Sequence, residues 1–391
     1  MMAQSLDMLS KHLVLVGGGH SHIEVLRRFA ATRPETARVT LVGLDRFTPY
    51  SGMFPGVVAG HYAYQEAHID LKPLCAAAGV EFIEDRVIGL DPERRALRCA
   101  SGLAVSYDLL SINVGSTPRL DDIPGALEAG VPVRPISGFL VHWQALLDQV
   151  RAAAGPVRIG VIGTGAGGVE MVLAIQYRMQ QELAAAKRDP AVVTFSLFGR
   201  SERVLSSFRP RVQARFERIL RARGIELQAG AAVIGAAPGL LRCADGRVHR
   251  LDHMVFVTEA SAAPWIRDSG LTLDAKGFIA VSLALQSLSH PTVFAAGDVA
   301  SVIGAPCPKA GVFAVRQGPP LAGNLRRSLT GVPLLYLRPQ RDALALIGLG
   351  NQSAVGIRGR LSLQGRLVWR WKRRIDRRFI RRYQMRAPER G

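Results

Sequence analysis

The stretch His12-Leu-Val-Leu-Val-Gly17-Gly18-Gly19-His20-Ser21-His22 decides the fold, because an apolar run leads directly into a glycine-rich turn. Apolar residues at helical spacing follow the turn, and a second apolar run occupies 38–42. A strand, a glycine-rich turn, a helix and a second strand form the opening of a dinucleotide-binding unit. Backbone N–H groups of such a turn, at the positive end of a helix, face a pyrophosphate.

The same arrangement recurs about 146 residues further along the chain. An apolar run at 156–162 leads into Gly163-Thr-Gly165-Ala-Gly-Gly168, which precedes a long helical pattern and another apolar run at 192–198. A tight turn without a ligand is the alternative for each unit, but two such units favour binding. We therefore predict an α/β fold with two Rossmann-like units. In the first unit His22 replaces the third glycine, so that turn must pack differently.

The composition excludes several classes of protein. With 391 residues, 48% of them hydrophobic, the chain can bury the cores of two or three domains and is not typical of a disordered protein. Its four cysteines, at 75, 99, 243 and 307, form no CxxC pair, so neither a zinc site nor a local redox disulfide is predicted, and they suit a reducing compartment. Residues 1–11 are not typical of a signal peptide, and no run approaches the roughly 18 apolar residues of a membrane-spanning helix.

Much of the basic charge lies at the C-terminus. The formal net charge is +19, and residues 366–391 contain eleven Lys and Arg against two acidic residues. Within 366–383, Val368, Trp371, Ile375 and Phe379 recur every three or four positions, which predicts a basic amphipathic helix. Such a helix favours an anionic membrane surface, while docking on the chain's own core and nucleic-acid binding are the alternatives.

Four further segments extend the pattern of the two units. Two are strands that end in small-residue turns, one places an aspartate after a buried strand and a glycine, and one opens a helix; they occupy 107–118, 253–264, 292–300 and 309–318. Together with the glycine-rich turns they resemble the FAD-dependent pyridine nucleotide-disulfide oxidoreductase superfamily over about residues 11–383. The branch is similar to the type II NADH dehydrogenases and sulfide:quinone reductases, including a subgroup sometimes fused ahead of selenide, water dikinase.

The resemblance implies a discontinuous domain organisation. An FAD-binding domain would be formed by 11–120 and 275–330, and an NAD(P)H-binding domain, 121–274, would be inserted between its two parts. Residues 331–391 would form a small C-terminal region, in which alternating apolar residues predict a β-hairpin ahead of the basic helix.

The resemblance also implies roles for individual residues. Those implied to bind FAD are Gly17, Gly18, Gly19, His20, Pro49, Tyr50, Gly115, Gly297 and Asp298. Those implied to bind NAD(P)H are Gly163, Gly165, Gly168 and Arg200, and the implied catalytic positions are Glu170, Lys309 and Gln317. Structural alternatives stay open: Asp298 could cap a helix, Glu170 could be a first-turn acid, and Pro49 and Tyr50 could belong to an ordinary loop.

Both units depart from the usual pattern at the residue that binds the ribose. The acidic residue expected after the second strand is Gly43 in the first unit and Gly199 in the second, where Arg200 follows. An arginine suits the 2′-phosphate of NADPH, whereas an acid would repel it, so Arg200 and Arg203 favour NADPH. Solvated surface arginines are the alternative. Glu259 is a further departure, since the related turn usually has glycine.

The function implied by the resemblance is that of an FAD-dependent NAD(P)H:acceptor oxidoreductase. A hydride would pass from NAD(P)H to the flavin, and electrons would then reach a quinone near Lys309 and Gln317. The protein would lie in the cytoplasm, peripherally on the inner face of the plasma membrane. Two alternatives stay open, a reductase of selenium metabolism and a flavoprotein that binds membrane or nucleic acid without catalysis. Sulfide oxidation is not predicted, because only Cys307 lies at a matching position.

Overall fold

The computed structural model describes residues 11–35, 37–338 and 343–384. The prediction that the N-terminus is not a signal peptide therefore concerns residues that lie, except for Lys11, outside the described part of the chain. In the described residues no helix is both long enough and apolar enough to cross a bilayer.

Between 11 and 118, the described residues form ten strands and three α-helices. In chain order they are β1 (Lys11–Val16), α1 (His20–Ala31), β2 (Ala37–Gly43), β3 (Phe47–Pro49), α2 (Phe54–Val58), β4 (His68–Asp70), α3 (Leu71–Ala78), β5 (Glu81–Glu84), β6 (Val87–Asp91), β7 (Ala96–Cys99), β8 (Ala104–Ser106), β9 (Leu109–Ile112) and β10 (Thr117–Pro118).

The next stretch repeats this succession. Its elements are α4 (Ala126–Ala129), β11 (Val131–Pro132), α5 (Ile136–Ala152), β12 (Val157–Ile162), α6 (Ala166–Ala185), β13 (Val193–Gly199), α7 (Pro210–Ala222), β14 (Ile225–Ala229), β15 (Val233–Ala237), β16 (Leu240–Cys243), β17 (Val248–Arg250), β18 (His253–Phe256), β19 (Ala260–Ser261) and α8 (Pro264–Arg267).

The remaining elements complete the first unit and form the C-terminal region. They are β20 (Ile279–Val281), β21 (Val293–Ala295), β22 (Ala300–Val302), α9 (Gly311–Thr330), β23 (Ala345–Gly348), β24 (Ala354–Arg358), β25 (Leu361–Gly365) and α10 (Arg366–Tyr383). Short 3-10 helices occupy Gln65–Ala67, Pro190–Val192 and Gly297–Val299.

Two parallel five-stranded sheets form the framework. The first has the order β21-β9-β1-β2-β5, and the second has the order β11-β18-β12-β13-β14. Each also carries a small antiparallel sheet, β6-β7-β8 in the first unit and β15-β16-β17 in the second. The predicted pair of Rossmann-like units is therefore confirmed. In each sheet the strand order reverses beside the first strand of the unit, which is where α/β sheets bind their ligands.

The strands form where apolar residues are continuous, because each parallel sheet is covered on both faces. Leu13, Val14 and Leu15 of β1 are fully buried, as are Ile159 and Val161 of β12. The first unit's core also includes residues of the late strand β21 and Tyr383 at the end of α10. This unit is thus assembled from distant parts of the chain, while the predicted domain boundaries stay a prediction.

The C-terminal region differs from the prediction in two respects. The predicted β-hairpin is present as β23 and β24, but a further strand, β25, follows it and pairs with β24, so the sheet has three antiparallel strands. The helix is confirmed as α10, but its predicted apolar stripe is divided. Val368 is buried and Phe379 packs on the core, whereas Trp371 and Ile375 are exposed. Periodicity alone does not tell which side of a helix a neighbouring element covers.

Candidate active site

The glycine-rich turn of the first unit is held by close backbone contacts. Gly17 has a φ of +89° and donates its N–H to Val42 O at 2.7 Å. A Cβ on Gly17 would lie 2.6 Å from the carbonyl oxygen of Asn113, the residue that follows β9. A Cβ on Gly19 would lie 2.3 Å from Asn113 Oδ1. Glycine is therefore required at both positions, since any side chain would displace the backbone after β9.

The second unit repeats this construction. Gly163 donates its N–H to Phe198 O at 2.8 Å, and a Cβ there would lie 2.1 Å from Val257 O after β18. Gly165 differs, because no atom lies within 4 Å of the place where its Cβ would stand. It begins the 20-residue helix α6 and faces open space, so the backbone can approach a pyrophosphate there. The turn thus fits NAD(P)H.

His22 and Gly168 occupy equivalent positions in the two turns, but they pack differently against the first glycine of the turn. A Cβ on Gly168 would lie 1.7 Å from Gly163 O. His22 instead lies with Nδ1 2.7 Å from Gly17 O and Nε2 2.8 Å from Ser111 Oγ. Because a carbonyl only accepts, Nδ1 carries the proton, and Nε2 accepts from Ser111. Burial lowers the pKa of His22 to about 4, so the ring is neutral at pH 7. The sequence-based expectation that this turn packs differently is confirmed.

Asn113 connects the first turn to the predicted FAD aspartate. Its Oδ1 accepts from the backbone N–H groups of Ser21 and His22 at 3.0 and 3.2 Å. Its Nδ2 donates to Ala296 O at 2.6 Å, directly before Gly297. One buried amide therefore fixes both the start of α1 and the Gly297–Asp298 turn.

Asp298 is buried and ion-paired. Its Oδ2 lies 3.0 Å from Arg134 Nη1 and 3.3 Å from Ser116 Oγ. Gly297 donates its N–H to Gln317 Oε1 at 2.6 Å, so the buried Gln317 side chain holds the turn that presents Asp298. The predicted residues Asp298 and Gln317 thus belong to one arrangement.

His20 is a half-buried side chain beside this turn, and its Nε2 atom is buried. Its Nε2 has no hydrogen-bond partner, and burial lowers its pKa to about 4, although the nearby Asp298 carboxylate acts in the opposite direction. Its ring centroid lies 5.5 Å from that of Tyr50, which stacks on Phe379 at 4.2 Å. Pro49 precedes Tyr50 at the end of β3.

This arrangement fits FAD. Buried polar atoms in proteins are normally hydrogen-bonded, so an unpartnered imidazole nitrogen indicates a polar ligand. Gly115 has a φ of +75°, and no atom lies within 4 Å of the place where its Cβ would stand. Gly115, His20 and the glycine turn at the start of the 12-residue helix α1 provide room and donors for a phosphate-bearing flavin.

Glu170 lies in a buried group of charges that sequence reasoning missed. Its Oε1 accepts from Gly348 N–H at 2.7 Å, and the ammonium group of Lys372 on α10 lies 2.9 Å from Asp376 Oδ2. Lys372 also donates to Gly52 O. Burial raises the pKa of Glu170 to about 7. Burial alone would lower the pKa of Lys372, but the Glu170 and Asp376 carboxyl groups outweigh it and raise that pKa.

Burial is the main cause of the raised pKa of Glu170. The Lys372 ammonium group and the Gly348 N–H act in the opposite direction, and the Asp376 carboxyl group adds a smaller upward contribution. Burial also raises the pKa of Asp376, although its direct contact with Lys372 opposes this. Glu170, Lys372, His61, Tyr62 and Trp369 line a cavity of about 20 Å³, which is room for about one water.

Lys309 is held on the other side of the Asp298 turn. Its Nζ donates to Ala300 O at 2.5 Å and lies 3.8 Å from the centroid of the Phe278 ring. Burial lowers its pKa, while Asp274 and Asp298 act in the opposite direction. Lys309 is thus a half-buried cation near Asp298, separate from the group around Glu170.

Arg200 is exposed at the carboxyl end of β13 and pairs with Glu259. Arg200 and Glu259, which both depart from the usual sequence pattern of the second unit, thus contact each other. Among the residues that the structure describes, no group of three or more His, Cys, Asp or Glu side chains is placed to hold a metal ion.

Sequence reasoning missed Asn113, Arg134, Lys372 and Asp376. Asn113 lies within a segment that the resemblance singled out, so its position after a strand was an available signal. Arg134 and Asp298 are 164 residues apart, and no local pattern connects them. Lys372 and Asp376 belong to the predicted basic helix, where a buried ion pair is indistinguishable from surface charges.

The comparison with family models agrees with the fold and the two turns. The model of the pyridine nucleotide-disulphide oxidoreductase family matches residues 11–322. The chain belongs to this family.

Two relatives and one solved structure illustrate the similarity. The sulfide-quinone reductase of Aquifex aeolicus is 22% identical over 370 residues, covering 88% of this chain and 83% of that protein. The type II NADH:quinone oxidoreductase of Staphylococcus aureus is 20% identical over 388 residues, covering 95% of each. The structure of NDH2 from Plasmodium falciparum with NADH has a TM-score of 0.79 at 13% identity and covers 96% of this chain and 97% of that chain.

Family membership confirms several predictions. The protein is an oxidoreductase of the predicted superfamily and fold class, with FAD and NAD(P)H as its cofactors. The roles of the individual site residues stay predictions.

Replacement of two glycines in the second turn should separate folding from nucleotide binding. Gly165→Ala has space for its methyl group, so the protein should fold with a melting temperature within about 2 °C of the wild type, yet bind NAD(P)H at least tenfold more weakly. Gly168→Ala forces a methyl group against Gly163 O and should lower stability by more than about 3 kcal/mol. Melting curves and nucleotide titrations of both variants test this. Normal nucleotide binding by Gly165→Ala would contradict the assignment.

Glu170 should give stability a characteristic pH dependence. The folded protein holds its proton up to about pH 7, whereas the unfolded chain releases it near the ordinary value of 4.5. Between these values the folded state binds more protons, so the free energy of unfolding falls as pH rises. The stability of Glu170→Gln relative to the wild type should therefore increase by on the order of 1–3 kcal/mol between pH 5 and pH 8.

Glu182 on the same helix provides the control. Hydrogen bonds from Arg151 and Arg178 outweigh burial and lower the pKa of Glu182. Its contribution to stability is present above the unfolded pKa and is lost as pH falls. Glu182→Gln should therefore be destabilised more at pH 8 than at pH 4, the opposite trend. Denaturant titrations at several pH values give the stability of each variant relative to the wild type. If this difference changed with pH in the same direction for Glu170→Gln and Glu182→Gln, the proposed protonation of Glu170 would be ruled out.

Proposed function

We propose that the protein is an FAD-dependent NAD(P)H:quinone oxidoreductase. The overall reaction is NAD(P)H + quinone + H⁺ giving NAD(P)⁺ + quinol, so the protein must deliver a proton as well as electrons. The observation that carries the proposal is Glu170, an acid that lines a small cavity near the glycine turn of the second unit and has a pKa of about 7. A carboxyl group with this pKa is suited to proton transfer at neutral pH.

The cofactors supply the redox chemistry, and the chain supplies binding and orientation. FAD would be held by the Gly17–Gly19 turn, His20, Gly115 and Asp298. NAD(P)H would be held by the Gly163–Gly168 turn. FAD, when bound, accepts a hydride from the nicotinamide and passes two electrons to the acceptor.

The side chains act around these cofactors. Glu170 holds a proton beside the small cavity and would donate it to the acceptor as the acceptor is reduced. Burial raises the pKa of Glu170, and the nearby Lys372 ammonium group opposes that shift. Gln317 keeps Asp298 in place by accepting the Gly297 N–H. Lys309 provides a positive charge, held in place by Ala300 O and the Phe278 ring, that would favour negative charge on a flavin bound nearby.

The acceptor is proposed to be a quinone, as the names of both relatives indicate for those proteins. Sulfide is not proposed as a substrate. The four cysteines are free, and burial raises the pKa of the Cys307 thiol despite the nearby Lys309. A thiol with a raised pKa is a poor nucleophile. The selenium-linked alternative and the non-catalytic alternative find no support among the relatives named above.

Anaerobic titration of the flavin-containing protein tests the function. NADH or NADPH should bleach the flavin absorbance, and a water-soluble quinone should restore it with uptake of one proton per nucleotide oxidised. Glu170→Gln should be reduced normally but reoxidised by quinone at least tenfold more slowly. Flavin that stays oxidised after nucleotide addition would contradict the proposal. Reduced flavin that quinone fails to reoxidise would contradict the choice of acceptor.

The C-terminal region supports a peripheral position on an anionic membrane. Five exposed side chains of β25 and α10 form what we call the apolar strip, with exposed fractions from 36% to 76%: Leu361, Leu363, Leu367, Trp371 and Ile375. The exposed arginines beside it are Arg360, Arg366, Arg370, Arg374 and Arg378. Apolar residues with an interfacial tryptophan and a basic rim match an anionic leaflet, so we propose that the strip inserts into the inner face of the plasma membrane.

Vesicle flotation tests the membrane proposal. Leu363→Gln with Leu367→Gln should weaken binding to vesicles containing phosphatidylglycerol about tenfold or more, because two exposed leucines lose their burial in lipid. Leu127→Gln with Val141→Gln is the matched control, since these side chains are 68% and 73% exposed elsewhere. Equal loss in both pairs, or salt-sensitive binding of duplex DNA in place of vesicles, would reject the membrane assignment.

A further inference from the structure

The ion pair between Arg200 and Glu259 joins two strands that flank the NAD(P)H turn. Arg200 follows β13, and Glu259 lies shortly after β18. Strand β12 lies between these two strands in the sheet and leads into Gly163. The pair therefore connects the two neighbours of β12 at the edge of the sheet where the dinucleotide binds.

Arg200, which directly follows β13, is more readily available to a ligand than the nearby Arg203. Arg203 is held by two parallel hydrogen bonds from its Nε and Nη2 to the Glu217 carboxylate at 2.8 and 2.9 Å. The Glu217 side chain is only 22% exposed. The side chains of Arg200 and Glu259 are 61% and 60% exposed, and such exposed pairs are weak and easily opened. A ligand phosphate would therefore bind Arg200 more easily than Arg203, because the ion pair that it must break is weaker.

The charges around the pair are mainly positive. Besides Arg200, the cations near Glu259 are Lys276 and Arg119, and together they lower the pKa of that carboxyl group. Asp122 is the second acid nearby, and its carboxylate lies 3.9 Å from Arg119. Three cations thus face two carboxylates, which favours an incoming phosphate dianion.

We propose that Arg200 recognises the 2′-phosphate of NADPH and that Glu259 is its internal competitor. The phosphate displaces Glu259, because a guanidinium–phosphate pair with parallel hydrogen bonds is stronger than a solvent-exposed guanidinium–carboxylate pair. NADH, which has no 2′-phosphate, leaves the pair closed. NADPH is therefore the preferred reductant, and Glu259 limits the size of the preference. This inference rests on the proposed use of NAD(P)H as the reductant.

Calorimetric titration of the flavin-containing protein with two nucleotide fragments tests the inference without turnover. Adenosine 2′,5′-bisphosphate and adenosine 5′-monophosphate differ only in the 2′-phosphate. The wild type should bind the bisphosphate more tightly, and Arg200→Gln should remove about tenfold or more of that ratio. Glu259→Gln should increase the ratio about three- to tenfold, because it removes both the competitor for Arg200 and a negative charge that repels the 2′-phosphate. In the Arg200→Gln background, Glu259→Gln should have a much smaller effect.

Arg203→Gln is the matched control, since it removes the same charge three residues away. It should lower the melting temperature by breaking the contact with Glu217, yet leave the fragment ratio within twofold of the wild type. The ratio of kcat/KM for NADPH and NADH should change in the same directions as the fragment ratio. Raising the salt concentration should reduce the wild-type preference and barely affect Arg200→Gln.

The outcomes separate this inference from the proposed function. Flavin reduction by either nucleotide supports the function, whichever is preferred. An unchanged fragment ratio in Arg200→Gln, or equal effects of Glu259→Gln on both fragments, overturns the inference and leaves the reductase intact. The inference is also overturned if Arg203→Gln lowers the fragment ratio as much as Arg200→Gln does. The loss of any nearby positive charge would then explain the preference.

Discussion

The contact on which the rest of the structure depends is the close approach of each glycine-rich turn to the backbone that follows a neighbouring strand, β9 in the first sheet and β18 in the second. Gly17 lies against Asn113 O, and Gly163 lies against Val257 O. In both units the first glycine also donates to the end of the second strand, at 2.7 and 2.8 Å. These contacts bring three strand ends together where the strand order reverses, and they fix the start of α1 and of α6. Because the helix starts are fixed in this way, their N–H groups and dipoles are oriented toward anionic ligands before any ligand binds.

The two units keep this framework while differing in what surrounds it. In the second unit Gly165 faces open space, so a dinucleotide can approach and leave, as a reductant must. The first turn is connected to distant parts of the chain. Asn113 bonds to Ala296, Thr48 bonds to Gly18, and His22 fills the position that Gly168 leaves small. A cofactor that stays bound is favoured by such a prepared and rigid site, because less conformational freedom is lost on binding.

The sequence was sufficient where the determining interactions are local. A strand, three glycines and a helix lie within about twenty residues, and this local pattern is enough to predict the turn. The atoms that exclude a side chain at Gly17 and Gly19 belong to the distant Asn113 and are shown only by the structure. The sequence was insufficient where charges meet across the fold. Arg134 with Asp298, and Lys372 with Glu170, are brought together only by tertiary packing. The pair of Arg200 and Glu259 is instructive, since each residue was recognised as a departure from the usual pattern, but only the structure shows that they compensate each other. The same limit applies to α10, whose polar side contains the buried Lys372 and Asp376 as well as solvated arginines.

Helix α10 connects the two halves of the proposed reaction. Its Tyr383 hydroxyl donates to Glu24 Oε2 at 2.8 Å. Burial alone would raise the pKa of Glu24, but bonds from Arg27, Tyr383 and Arg28 lower it to about 2, so this contact stays ionised. About two and three helical turns before Tyr383, Asp376 and Lys372 lie near Glu170 of the other unit. The exposed side of the same helix carries Leu367 and Trp371 of the apolar strip. The protonation of Glu170 therefore depends on a helix whose outer side is proposed to contact the membrane. Since a carboxyl group near one ammonium group and one other carboxylate is sensitive to small changes in their distances, membrane contact that shifts α10 would also shift the pKa of the proposed proton donor.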